Sequence, residues 1–474
     1  MDEIVREIFL FIISFNVKTY LVGGSIRDSL LGRVIKDFDF VTIEKPQKLA
    51  ENIACIFGGT VVEMSKEHEM FRVVVKNVGT FDFSKIKGEK IEEDLYERDF
   101  SINAMAYDLN NSYEIEKNMI IDPFGGMRDL ESNRIRHLHK ETFVNDPLRM
   151  IRAVSLMSRL NFDLDEETQK LIKAESETIN TIAGERIATE FFAILREKRS
   201  AYYLDYMDKK LLLLDKIFPE LRQMKKIGEC KYHIVDSLTH SLNTVECIEE
   251  VIYANKFFED HIRVSYEKHT SEILAANRKR LELIKLGALF HDIGKPSAKK
   301  VDKDGRVRFR GHEITGAELA LEYAAKLMLS KKEQKILYKY VKMHMSPLVL
   351  YKSNDVSANA LYQVFEKMGE ETLDIFLIAL ADIVSTRKIL DPSEEMGMFK
   401  VHVEYIVNNY LTRYRPLVKK PLISGEELME RFNILEGIKI GELQEKIKKD
   451  IYFGKVSSSK DSVLKYISEE MNLI

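Results

Sequence analysis

The chain has 474 residues, with 76 Asp and Glu against 72 Lys and Arg and a formal net charge of −4. At roughly 150 residues per domain this length excludes a single small core, and a composition 45% hydrophobic and 31% charged, with 9 Pro and 22 Gly, excludes disordered and collagen-like chains. The slight acidity excludes bulk charge as the attraction for nucleic acid, so any such partner must meet a local basic surface.

In chain order, MDEIVREIFLFIISF reads as a buried amphipathic helix, because acids precede an apolar run of only about eight residues with no cleavage site. No stretch reaches the roughly 18 apolar residues of a membrane span, so no membrane partner is expected. Residues 18–137 alternate short β-rich runs with helical ones (KTYLVGG, SIRDSLLG, KDFDFVTI, PQKLAENIACIF, GTVVEM, FRVVVKN, GTFDFS). This predicts an α/β unit on a mainly antiparallel or mixed sheet. From about residue 140 the period becomes helical and strand runs nearly vanish, so the fold class is α+β: an α/β head followed by all-α segments. Breaks are expected at 297–311, where a DG turn joins two charged arms, and at 388–397 (KILDPSEEMG). The tail 418–474 reads as short helices with Ser N-caps and Gly-containing turns. The expected segments are a head at 1–138, a helical neck and body at 139–229, a module at 230–390 and a helical tail at 391–474. Cys55, Cys230 and Cys247 are odd in number and far apart, which supports neither a disulfide framework nor a zinc knuckle and points to a cytoplasmic location.

In YLVGGSIRDSLLGRVIKDFDFVT, Gly23 and Gly24 follow an apolar strand and open a helix, where exposed amides suit a phosphate. Alone, such a pair is commonly only a tight turn. Asp37 and Asp39 stand at i and i+2 of a strand, so both carboxylates project from one face and call for a cation. Mg²⁺ takes carboxylate and phosphate oxygens together. An isolated acid pair is equally well a solvated strand end. Joined to the glycines, Arg27 and Arg33, that reading weakens.

The run GGSIRDSLLGRVIKDFDF is similar to the signature of class II tRNA nucleotidyltransferases and bacterial poly(A) polymerases. The resemblance continues in order through RDFSINAMAYD, DPFGGMRDL, NDPLRMIRAVSLMSRLNF and GERIATE, five motifs over about 200 residues. It implies that Asp37 and Asp39 hold catalytic Mg²⁺ and that Gly23, Gly24 and Arg27 meet a triphosphate. It further implies that Arg98, Asp99 and Asn103 contact ribose and phosphate. Asp146 and Arg149, i and i+3 at a helix start and facing the same way, would read the edge of the incoming base, with Arg152 beside them in the nucleotide site. Glu97 stands where the family has a second arginine, and Asn145 where it has glutamate. Only KIKGEKIEE separates GTFDFS from Asp94, shorter than the flexible loop of CCA-adding members and resembling enzymes that add only part of CCA. The implied partners are tRNA and CTP, ATP or both.

His291-Asp292 in LGALFHDIGK is preceded by His240 and followed by His312, His344 and Asp382, six ligand-type residues read as lying at apolar helix boundaries. A lone helical histidine is usually structural; this set is not well explained that way. The order resembles the HD phosphohydrolase superfamily, and implies a site for a divalent transition metal or Mg²⁺ with a phosphohydrolase activity. From Lys295 to Arg310, seven basic residues stand against Asp302 and Asp304. These fit a rim for a phosphate substrate at the HD site or a contact to RNA backbone, and equally a solvated hairpin. The reading is therefore an RNA-binding transferase that adds CMP, AMP or both to tRNA 3′ ends and carries an HD module. The alternatives are a poly(A) polymerase and, from another class, an HD phosphohydrolase with an RNA-binding head.

Overall fold

The computed structural model describes residues 3–67, 69–110, 112–227, 235–253, 257–390, 393–419, 421–432 and 438–471. Cys230 and the Asp391-Pro392 pair lie outside the described residues. The chain divides into two compact units, Met1–Ile182 with Tyr206–Lys216 and Ala183–Asp205 with Ile217–Ile474.

In the first unit, helix α1 (Glu3–Ser14) buries Val5, Ile8, Phe9 and Ile12, the helical spacing expected of its sequence. Strands β1 (Thr19–Val22), β2 (Asp37–Thr42), β3 (Thr60–Ser65), β4 (Met70–Val75), β5 (Gly79–Lys85) and β6 (Ala106–Asp108) form one sheet in the order β3-β4-β5-β2-β1-β6. Only β2 and β5 pair in parallel; the remaining neighbours are antiparallel, so the sheet is mixed, as the sequence predicts. Strict alternation along β2 and β5 sends Phe38, Phe40, Phe81 and Phe83 to one face. There Phe38 stacks on Phe81 at 5.2 Å and Phe40 on Phe83 at 4.9 Å between ring centroids. Phe9 of α1 caps Phe38 and Phe40 edge-on at 5.5 and 5.6 Å. The opposite face carries Asp37, Asp39 and Asp82 beside a smaller apolar cluster that includes Tyr20, Val22, Val41 and Ala106.

The helix Gly24–Leu30 (α2) follows β1 directly, and the helix Ile91–Tyr96 follows β5 after a short connection. Helical structure dominates beyond residue 140, with two small strand pairs besides: Arg134–Ile135 beside Asp163–Leu164, and Lys300–Val301 beside Val307–Arg308. The break expected at 388–397 is narrower than its Asp-Pro and Gly suggest. One helix runs through Leu390, the next starts at Ser393 and includes Gly397, and Phe399 buries itself in that helix, so packing overrides local turn propensity. In the tail, Leu428, Ile447, Val463 and Ile467 form a separate small core. Ser424 and Ser459 accept the Glu427 and Ser462 amides at 3.1 and 3.3 Å, the N-caps expected there. Among the described residues no helix is long and apolar enough to cross a membrane.

Candidate active sites

In the first unit the polar face of the sheet collects the head residues. Asp39 is the register partner of Val22 on β1 and of Asp82 on β5. Ser25 of α2 ties this strand to the Gly-Gly turn: its hydroxyl donates to the Asp37 carbonyl at 3.2 Å and accepts the Asp39 amide at 3.1 Å. Gly23 sits at φ 70°, and a Cβ there would lie 2.8 Å from Arg98 Nη1 and 3.4 Å from Asp39 Oδ2. The turn therefore needs glycine for both conformation and space. Burial pushes the Asp39 carboxyl above the usual aspartate range, against the Arg98 guanidinium and with help from Asp82 and Asp37. A carboxyl whose charge is disfavoured by burial and by neighbouring acids marks a site short of positive charge, and an all-oxygen donor set fits a hard divalent cation.

Around it, Arg27 is buried and donates to Asp28 and, through Nη1, to Asn103 Oδ1 at 2.6 Å. Asn103 Nδ2 in turn donates to Asp99 Oδ1 at 2.9 Å, and Arg152 Nη1 lies 3.6 Å from Asp99 Oδ2. Arg98 Nη2 pairs with Asp94 at 3.2 Å. Thus Arg27, Asp99, Asn103 and Arg152 form one connected chain. Asp146 and Arg149 differ from the expected helical pair. The helix begins at Leu148, after Pro147, and Asp146 is extended, at φ −147° and ψ 97°, with its Oδ1 accepting the Leu148 amide at 3.2 Å. The Arg149 guanidinium reaches the RD segment, donating to the carbonyls of Glu97 at 2.7 Å and Arg98 at 3.2 Å and to that of Thr142 at 3.4 Å. Arg33 lies apart from this set and donates to the Arg159 carbonyl.

In the second unit, all six HD residues converge. They fall into two groups with mutually close ligand atoms, His240, His291 and Asp382, and Asp292, His312 and His344. His240 Nε2 lies 2.9 Å from Asp382 Oδ1; His291 Nε2 and His312 Nε2 lie 3.3 and 3.2 Å from Asp292; His312 and His344 approach at 3.2 Å. Three of the rings are held alike: Nδ1 of His291, His312 and His344 meets the carbonyl three residues earlier, Ala288 at 2.7 Å, Phe309 at 2.8 Å and Val341 at 2.7 Å. That contact places the proton on Nδ1 and turns the Nε2 lone pair into the cluster, the arrangement of metal-binding imidazoles. The buried Nε2 of His291 makes no hydrogen bond. Burial, with His291 and His312, pushes His344 down to about 3, so its ring is neutral and available as a ligand. Burial opposes charge on Asp292, but Lys295 and His291 outweigh it and hold the carboxyl well below its usual range. His291, His312 and His344 do sit at helix ends, whereas His240 and Asp382 project from inside the helices Ser237–Tyr253 and Thr372–Leu390, because a cluster at a bundle centre draws on helix flanks as well as termini.

Comparison with known proteins matches three segments of the chain. Residues 19–136 match the family described as Poly A polymerase head domain, 161–225 the probable RNA and SrmB-binding site of polymerase A, and 238–387 the HD domain. A multifunctional CCA protein of Neisseria meningitidis serogroup C is 30% identical over 328 residues, 66% of this chain and 69% of that protein. The chain belongs to the CCA-adding tRNA nucleotidyltransferase family. Other relatives within it are an A-adding tRNA nucleotidyltransferase of Deinococcus radiodurans, 26% identical over 93% of both chains, and a CC-adding one of Thermus thermophilus, 27% identical over 89% and 86%. The Thermotoga maritima CCA-adding enzyme complexed with tRNA shares the fold, with a TM-score of 0.59 at 23% identity over 99% of this chain and 96% of that one.

For a family member, the residue that sequence reasoning missed is Asp82. It shares the carboxylate face with Asp39 and is gripped by Arg72, whose Nε and Nη2 donate to its two oxygens at 2.8 and 2.6 Å. Its signal was present: FDF in β5 repeats the FDF of β2, and two such strands in parallel register put their acids side by side. Glu97, where the resemblance implies an arginine, accepts the Arg149 guanidinium at its backbone carbonyl.

Proposed function

We propose that the first unit carries out nucleotidyl transfer from CTP or ATP to the 3′ end of tRNA. The 3′ oxygen attacks the α-phosphorus, the bond to the β-phosphate oxygen breaks, and pyrophosphate leaves. The observation that carries this reading is the convergence of Asp37, Asp39 and Asp82 on one sheet face beside the Gly23-Gly24 turn and Arg98. Asp37 and Asp39 would hold Mg²⁺, which when bound neutralises triphosphate charge and eases loss of the 3′-hydroxyl proton. Gly23, Gly24 and Arg27 would receive the triphosphate, and Asp99 and Asn103, fixed by Arg27 and Arg152, would orient the ribose. Arg149, braced on the RD segment, would present its remaining donor edge to the base, with Asp146 as acceptor. The connection between β5 and the helix at Ile91 is only residues 86–90, which supports addition of part of CCA rather than all of it.

The segments 1–138, 139–229, 230–390 and 391–474 would serve as transferase head, base-selecting and RNA-binding body, HD module and tRNA-gripping tail. The HD cluster would hold a divalent transition metal or Mg²⁺ and hydrolyse phosphate esters, since four imidazoles and two carboxylates suit such ions. The deciding experiment offers tRNA ending at the discriminator base, at C and at CC, with each nucleotide in turn. Partial addition gives C and CC products without A, or A on CC ends alone. Indefinite A addition to any RNA would replace this reading with a poly(A) polymerase.

A further inference from the structure

The acid face does not end at Asp82. Arg72 on β4 is the register partner of Asp82 on β5 and stands on the same face, while its neighbours Phe71 and Val73 turn into the phenylalanine core. Its Nε and Nη2 are spent on the two Asp82 oxygens, at 2.8 and 2.6 Å. The Nη1 edge is left over, and the side chain is 40% exposed where that of Asp82 is 16%. The Asp82 bond above all, with Asp37 and Asp39 behind it, pushes the guanidinium pKa up from its ordinary value, so the group is a fixed cation. An arginine that served Asp82 alone could be covered; this one keeps a donor edge open.

Past Arg72 the same face is bare. Val62 on β3 is its register partner, Val74 lies two residues along β4, and they are 45% and 43% exposed. Over β1 and β6 the face is covered instead, because Ile91 and Leu95 cluster there with Tyr20, Val22 and Ala106. Asp39 therefore stands between two unlike halves, one roofed by a helix and one open.

The reaction needs both halves. In-line displacement puts the attacking oxygen across the α-phosphorus from the leaving pyrophosphate. Gly23, Gly24 and Arg27, the residues proposed to receive the triphosphate, all follow β1, on one side of Asp39. Pyrophosphate leaving on that side requires the 3′ oxygen to arrive from the other, over β5 and β4. With neighbouring strands about 4.8 Å apart, β4 lies roughly 14 Å from β1, which leaves room for a triphosphate on one flank and a strand end on the other. An RNA end entering there brings phosphate toward a row of acids, and Arg72 is the cation displayed beside that row.

We propose that Arg72 binds the last phosphodiester of the RNA acceptor through its Nη1 edge and so seats the 3′ oxygen over Asp82, with Val62 and Val74 as an apolar floor for the terminal nucleoside. The assignment rests on the transferase reading and adds to it the side from which the acceptor enters.

The test measures single-turnover addition by the full-length chain with Mg²⁺ and saturating nucleotide. The substrate is the tRNA end that the protein extends, made with either an ordinary last phosphodiester or a neutral methylphosphonate in its place. For the wild type the neutral linkage should slow addition at least tenfold. Arg72→Gln, its fold verified by an unchanged thermal midpoint, should be at least tenfold slower than wild type on the ordinary end and respond less than twofold to the neutral linkage. Its KM for the nucleotide should stay within twofold of wild type. A wild type indifferent to the neutral linkage overturns the contact without recourse to any variant. A full tenfold response in Arg72→Gln gives that phosphate to another residue and overturns it too, as does a nucleotide KM that rises with the loss of rate, which would place Arg72 on the triphosphate. A wild type that extends no tRNA end overturns the transferase reading itself, and the assignment of Arg72 with it.

Discussion

Asp39 and Asp82 are register partners across the parallel β2–β5 pair, while one residue further along each strand Phe40 and Phe83 stack at 4.9 Å on the opposite face. The pairing makes Asp82 a third acid of the proposed transferase face. Asp39→Ala is expected to abolish nucleotide addition, and Asp82→Asn to lower kcat roughly 10²-fold, the size of losing one preorganised charge. In both variants tRNA affinity should stay within a few-fold, since phosphates dominate that grip. Rapid single-turnover assays with a parallel tRNA binding titration check this; full turnover in Asp82→Asn would reduce it to a partner of Arg72.

Gly23→Ala tests the turn separately from the acids. The added methyl must displace Arg98, which lies 2.8 Å from the Cβ position, and must accept φ 70°. We expect a loss of about 1 kcal/mol of stability from the backbone strain, and a larger loss in kcat/KM for the nucleotide. Thermal melts and kinetics on one preparation separate the two. Equal activity would show that Arg98 is free to move.

Arg149→Ala removes donors that brace Glu97 and Arg98 as well as those offered to a base. Discrimination between the best and worst nucleotide should fall by about 1–3 kcal/mol, the usual worth of a forked donor pair. Comparing kcat/KM over the four nucleotides is the measurement, and an unchanged ranking and spread would confine Arg149 to its bracing role.

The two proposed activities would stand on separate residues in separate units. Asp292→Ala should eliminate metal-dependent phosphate hydrolysis and leave nucleotide addition within twofold, assayed well below the unfolding midpoint. Collapse of addition in a well-folded variant would show that the sites are coupled.

A pH-dependent stability term is expected from Asp374, fully buried and receiving His269 Nε2 at 2.7 Å, Arg280 Nη1 at 2.8 Å and the Tyr340 hydroxyl at 2.7 Å. Burial opposes its charge, but His269 and Arg280 prevail and hold its carboxyl below the ordinary value of 3.8. The ionised form therefore stabilises the fold above the unfolded value, and that contribution is lost as pH falls through the depressed folded one. Asp374→Asn should cost about 3 kcal/mol near neutrality. The gap between its melting curve and that of wild type should close on acidification. A gap constant from pH 7 to pH 3 would contradict the assignment.

The alternation of β2 made the sheet, the acid pair and the phenylalanine face legible from sequence, because a period of two needs no partner to be read. Asp82 was not, since a single acid in a strand gains meaning only from the register of its neighbour. Likewise the HD residues were identifiable by type, but their division into two groups is a property of helices distant in sequence, as is the link from Asp374 to His269 and Arg280. The surroundings of Arg149 were not legible for a related reason: spacing cannot show that a helix begins two residues after Asp146, nor that a guanidinium also donates to backbone carbonyls.

The twin alternation of β2 and β5 also constrains how this part of the gene can change. Adding or deleting one codon within either strand would exchange the phenylalanines that stack under α1 with the acids on the other side, delivering charge to the core and rings to the acidic face in a single event. Changes of two codons preserve the faces but slide Asp39 out of line with Asp82. Length variation in the head should therefore be confined to the connections, such as residues 86–90, which leave the two strands and their register untouched.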